Sequence, residues 1–105
     1  MKVVFHLNES ARLNIVLSNI RNILKMDDII DVILLINGEA INLFKNTAFM
    51  IGINSERLEV MVCKNSMVSN KVLESDLPTG IEIVTSCVYT LSKLQSKLGF
   101  AYIKT

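Results

Sequence analysis

Apolar side chains along this chain gather into short runs separated by longer, more polar stretches. Five runs stand out: "KVVFHL" (2–7), "DVILLIN" (31–37), "RLEVMVC" (57–63), "IEIVT" (81–85) and "FAYIK" (100–104). Their length and their β-branched and aromatic content predict strands. The second is almost unbroken Val, Ile and Leu, the pattern of a parallel strand covered on both faces. Between the first two lies "SARLNIVLSNIRNILKM". Leu13, Val16, Leu17, Ile20, Ile23 and Leu24 recur there at i, i+3, i+4 and i+7. Arg12, Ser18, Asn19, Arg21, Asn22 and Lys25 fall largely on the other side, so an amphipathic helix is expected over 10–26.

The segment 86–98, "SCVYTLSKLQSKL", carries Val88, Leu91, Leu94 and Leu98 on one stripe. Thr85 or Ser86 suits its N-cap and Gly99 its stop. "GEAINLFKNTAFMIGINSE" predicts one helix or two short ones divided near Lys45–Thr47, and "KNSMVSNKVLESDLPTG" a short helix and a loop closed by Pro78 and Gly80. Strand alternating with helix predicts an α/β domain in three layers, with a mostly parallel sheet. At 105 residues, with no linker or repeat, a single domain over 1–105 is expected.

Composition narrows the function classes. Half the residues are hydrophobic and a fifth charged, which excludes a disordered chain. The net charge is +1 with no Lys/Arg run, so no nucleic-acid partner is expected. "IIDVILLI" is broken by Asp31 and too short to span a bilayer, so no membrane partner is expected either. The start, "MKVVFHLNES", lacks the apolar core and cleavage site of a signal peptide, and a cytoplasmic location follows as the expectation. Cys63 and Cys87 have no CxxC spacing, and the single His6 does not complete a usual zinc set with them. Without a metal motif, GxGxxG or P-loop, no cofactor is expected.

Ligands of open parallel sheets bind beyond the carboxyl ends of the strands. Those ends here carry His6 with Asn8 and Glu9, Asn37 with Gly38 and Glu39, Cys63 with Asn65 and Ser66, and Thr85 with Ser86. Each has a plainer role beside the functional one. His6 suits a hydrogen-bonded strand end, Asn8 and Ser10 suit helix N-caps, and Asn37–Gly38 suits a turn. Ser86 has no second base to complete a triad. Cys63 is different: it closes a strand, and a helix starting near Asn65 would bring backbone N–H groups to its sulfur, with Lys64 adding positive charge. Inert packing is the competing reading, since free cysteines are among the most buried residues. Cys87 stands inside an apolar stripe, where packing is the stronger reading.

Taken together, "KVVFHLNE", "VILLINGEAINLF", "VMVCKNSM", "LESDLPTGIEIVTS" and the terminal "LQSKLGFAYIKT" resemble the DsrE/DsrF-like family of small sulfur-relay-type proteins, which includes the YchN-like members. The resemblance covers nearly the whole chain. It is most specific at the strand–Cys–x–Asn–Ser turn and in the closing stretch. It implies a three-layer α/β/α fold with five parallel strands in the order 4-3-2-1-5, assembled as a homo-oligomer, trimer or hexamer. It also implies a cysteine at position 63 that accepts persulfide sulfur from a donor protein and passes it to an acceptor. Two departures stand out. The approach "INSERLEVMVC" lacks the expected Gly-Val, and Cys87 replaces a small residue, which raises the question of whether it assists or resolves Cys63.

Three readings follow. The first is a sulfur carrier of sulfurtransferase type with Cys63 as the catalytic thiol, and His6, Asn8, Asn37, Gly38, Asn65, Ser66 and Ser86 around it. The second is a non-catalytic oligomeric module for small-ligand binding or assembly. The third, a hydrolase using Ser86 or Cys63 with His6, lacks an orienting acid.

Overall fold

Five apolar runs become five strands, with helical segments between them in the chain. The computed structural model describes residues 1–105. In chain order these are β1 (Lys2–Leu7), a 3₁₀ turn (Ser10–Arg12), α1 (Leu13–Met26), β2 (Asp31–Ile36), a 3₁₀ segment (Gly38–Lys45) and α2 (Thr47–Gly52). There follow β3 (Leu58–Cys63), α3 (Lys64–Ser69), a 3₁₀ turn (Glu74–Asp76), β4 (Glu82–Val84), α4 (Cys87–Ser96) and β5 (Ala101–Lys104). The strands form one five-stranded sheet in the order β4-β3-β2-β1-β5. All four pairings are parallel.

Side chains alternate between the two faces of a strand, and the two faces are covered unequally. On one face Val3, Phe5, Leu7, Val32, Leu34, Ile36, Leu58, Val60 and Val62 pack against α1, the Gly38–Lys45 segment, α2 and α3. On the other, Val4, Ile33, Leu35, Met61 and Cys63 pack against α4 alone, through Cys87, Leu91 and Leu94. The central β2 is buried on both sides, which is why its sequence reads as a continuous apolar run. Every residue of the edge strand β5 remains exposed.

Three local expectations shift. The amphipathic segment starts as a 3₁₀ turn and becomes α-helical only at Leu13. Ser10 does not cap it: both its N–H and its hydroxyl donate to the Glu39 carboxylate. The stretch after β2 splits in two at Asn46, whose side chain accepts the Phe49 N–H at 2.9 Å and caps α2. Its first part is a 3₁₀ segment rather than an α-helix, burying Ala40, Ile41, Leu43 and Phe44.

Candidate functional site

Where β3 ends, α3 begins at once: Cys63 is both the last strand residue and the N-cap of α3. The α3 helix has only six residues, so it acts on the sulfur through its first N–H groups rather than through a summed dipole. Burial alone would push the Cys63 thiol up. The Ser66 N–H and hydroxyl, then the N–H groups of Cys87 and Asn65, favour the anion and outweigh burial, so the thiol lies below its ordinary value. Ser66 Oγ accepts the Gly38 N–H at 2.8 Å, which leaves its own proton free for the sulfur. Gly38 makes this possible with a left-handed backbone at φ +59, in a place where a Cβ would come within 3.2 Å of the Asn8 carbonyl oxygen. Asn70 ties the two segments together, donating to Gly38 O at 3.3 Å and to Ser66 O at 2.8 Å.

A second polar group lies on the neighbouring strands. His6 is 9 % exposed. Its Nε2–H donates to Asn37 Oδ1 at 2.8 Å, and its Nδ1 accepts from the Tyr102 hydroxyl at 2.6 Å. Burial pushes the imidazole pKa down, the Asn37 hydrogen bond opposes this and nearby Lys104 adds to it, so the net shift favours the neutral ring. Lys104 Nζ in turn donates to Asn8 Oδ1 at 2.6 Å.

The predicted residues therefore divide. Cys63, Asn65 and Ser66 lie together at the β3–α3 junction, while His6 bonds Asn37 and Tyr102, and Asn8 bonds Lys104. Gly38 links the two. Both imidazole nitrogens are engaged, so His6 neither stabilises the Cys63 anion nor serves it as a base, and the hydrolase reading loses its dyad. Lys64 turns away from the sulfur and pairs with Glu74 at 3.3 Å on the exposed surface. Ser86 accepts the Tyr89 N–H at 3.2 Å and caps α4. Cys63 itself is only 6 % exposed, a narrower window than a strand-end thiol suggested, because Val84 and Cys87 close over that side. Sequence reasoning missed Tyr102, Lys104 and Asn70, whose bonds to His6, Asn8 and Gly38 span 96, 96 and 32 residues.

Cys87 opens α4, and its thiol is pushed up to about 11 by burial and by the charge of Cys63 beside it. Both cysteines are free thiols. The two larger cavities lie elsewhere. One, of about 610 Å³, runs between α2 and the loop before β4, lined by Met50, Ile53, Leu58 and Ile81. The other, of about 650 Å³, lies among Asp28, Arg57, Glu59 and Phe100. Neither reaches Cys63.

No protein-family model matches the sequence, and no curated protein sequence matches it. Two solved structures are similar over essentially the full length. A protein of unknown function, MTH1491 from Methanobacterium thermoautotrophicum, superposes with a TM-score of 0.86 at 21 % identity, over 99 % of this chain and 98 % of that one. The ychN protein from E. coli does so with a TM-score of 0.75 at 14 % identity, over 100 % of both chains. At these identities the likeness establishes architecture: this chain has a YchN-like α/β fold.

Proposed function

We propose that this protein is a sulfur carrier of the DsrE/DsrF-like kind, working through Cys63. The observation that carries this reading is the place of Cys63 as both the last residue of β3 and the N-cap of α3, where the Ser66, Asn65 and Cys87 donors hold its thiol below the ordinary value. Such donors favour a thiolate, the form that attacks sulfur, and they suit the anion of a persulfide equally well. The Cys63 thiolate attacks the outer sulfur of a donor protein's persulfide; the donor's S–S bond breaks and the donor leaves as a thiolate. An acceptor thiolate then attacks the outer sulfur of Cys63–S–SH, and Cys63 leaves as a thiolate. One sulfur atom moves, with no net oxidation. The reading needs reduced thiols and so belongs with a cytoplasmic setting; no helix is long and apolar enough to cross a membrane.

Treatment with glutathione persulfide followed by mass spectrometry tests this. One added sulfur should map to Cys63, and Cys63→Ser should take up none. One observation favours the alternative of a non-catalytic binding or assembly module: the 6 % exposure of Cys63. Sulfur uptake that is absent in the native protein, and appears only on unfolding, would decide for that module.

A homo-oligomer, trimer or hexamer, is part of the same proposal. Supporting it, Val88 is 74 % and Tyr89 66 % exposed on α4, beside the exposed edge strand β5 with Tyr102 and Ile103. Sedimentation at micromolar concentration should give the assembled mass, and a stable monomer would refute it.

A further inference from the structure

We infer that Cys87 is a resolving thiol for Cys63, closing a Cys63–Cys87 disulfide that expels carried sulfur as sulfide. The inference rests on the carrier reading above and adds a second outcome for the same sulfur.

The argument begins with register. Cys63 pairs with Val84 across β3 and β4, and only Thr85 and Ser86 separate that partner from Cys87. The short connection turns back over the strand end, and α4 starts there under a fixed cap: Ser86 Oγ accepts from Tyr89 N–H, and Thr90 Oγ1 donates to Ser86 O at 2.9 Å. The start of the helix is thereby held against the thiol. Both cysteines lie in the one buried cluster on that face. The Cys87 N–H lies near enough to the Cys63 sulfur to favour its anion, and the Cys63 charge in turn raises the Cys87 thiol.

The roles are unequal. Cys63 has the donors and the lowered thiol; Cys87 is a thiol kept protonated by burial and by its neighbour's charge. Cys63 is thus the group that takes up sulfur first, and Cys87 acts slowly, on sulfur that no acceptor has removed. In that step the Cys87 sulfur, losing its proton, attacks the inner sulfur of Cys63–S–SH. The bond between inner and outer sulfur breaks, and the outer atom departs with the electron pair and collects the proton as H₂S. The Cys87 sulfur is oxidised from thiol to disulfide level and the outer sulfur is reduced to sulfide, while the Cys63 sulfur exchanges one S–S bond for another, so no external oxidant enters. A dithiol reductant then restores both thiols. A merely packed side chain at 87 would have no effect on the fate of the sulfur.

The test loads the native protein with glutathione persulfide, removes the reagent, and follows intact mass, released sulfide and non-reducing peptide maps over time. Wild type should gain one sulfur, then lose it, with one sulfide released for each Cys63–Cys87 linked peptide. Cys87→Ser and Cys87→Ala should hold the sulfur on Cys63 at least tenfold longer and form no link; circular dichroism identifies any variant that does not fold, and the other then carries the comparison. If wild type holds its sulfur as long as both variants and no 63–87 link forms, the resolving role is wrong and the carrier stands. Linkage between two chains in place of 63–87 also overturns it. If no form takes up sulfur on Cys63, both readings fall together.

Discussion

At the residue scale, one sulfur and one imidazole have opposite needs, and the chain meets each locally. Both the N–H and the hydroxyl of Ser66 lower the Cys63 thiol. Removing a hydroxyl that bonds a charged group costs about 1.5 kcal/mol or more, so Ser66→Ala should slow Cys63 alkylation at neutral pH by about tenfold. An unchanged rate would show that the hydroxyl does not face the sulfur. His6 is buried neutral, and its pKa lies below the ordinary 6.5. Above pH 6.5 neither the folded nor the unfolded chain holds its proton. As the pH falls below that value the unfolded chain takes up the proton first, so His6 lowers stability on the acid side. Denaturant midpoints between pH 7.5 and 5.5 should fall more steeply for wild type than for His6→Gln, and equal slopes would contradict the assignment. Cys63 and Ser66 were legible in the sequence because a strand end next to a helix start is a local pattern. Tyr102 and Asn70 were not, since their partners His6 and Gly38 lie 96 and 32 residues away.

Elements were legible where one periodicity ran long enough to count. The strands and the α1 and α4 segments fall within a residue or two of where their patterns put them, apart from the 3₁₀ start at Ser10–Arg12. The Gly38–Lys45 segment is different: with Ala40, Ile41, Leu43 and Phe44 all buried, its short apolar run fits several helical pitches, and packing chose 3₁₀. Two glycines then fix how elements meet. At Gly38 an Ala would combine left-handed strain with a close carbonyl contact, and Gly38→Ala should cost about 1–2 kcal/mol or more and loosen the Ser66 hydroxyl. At Gly52 a Cβ would stand 2.8 Å from Leu17 Cδ1, so α2 touches α1 there through bare backbone. Gly52→Ala should destabilise by about 1–3 kcal/mol unless Leu17 changes rotamer, measured by urea unfolding. A neutral result at both positions would mean that the turn and the helix contact are less tightly fixed than described.

For the whole molecule, the alternation of strand and helix implied a parallel α/β sheet, but it could not rank the strands. The order β4-β3-β2-β1-β5 came from the family resemblance, and the structure has it. Nor did the pattern reveal that one face is covered by four helical segments and the other by α4 alone. That asymmetry places the site: the thinly covered face carries Cys63, Cys87 and His6 together. On α4 and β5, Val88, Tyr89, Tyr102 and Ile103 are exposed. If copies of the chain meet there, a paired Val88→Glu and Tyr89→Lys change should dissociate the assembly and leave the circular dichroism spectrum unaltered. Retention of the assembled mass would place the interface elsewhere.

The central claim is that the Cys63 thiol ionises more readily than an ordinary cysteine and Cys87 beside it less readily. Alkylation of the native protein with iodoacetamide across pH 5.5–10, with each cysteine quantified by peptide mass spectrometry, tests it most directly. The account predicts that Cys63 reacts with a midpoint clearly below that of a free cysteine and Cys87 scarcely at all until the pH approaches about 11. A Cys63 midpoint at or above the free-thiol value, or faster labelling of Cys87, would contradict it.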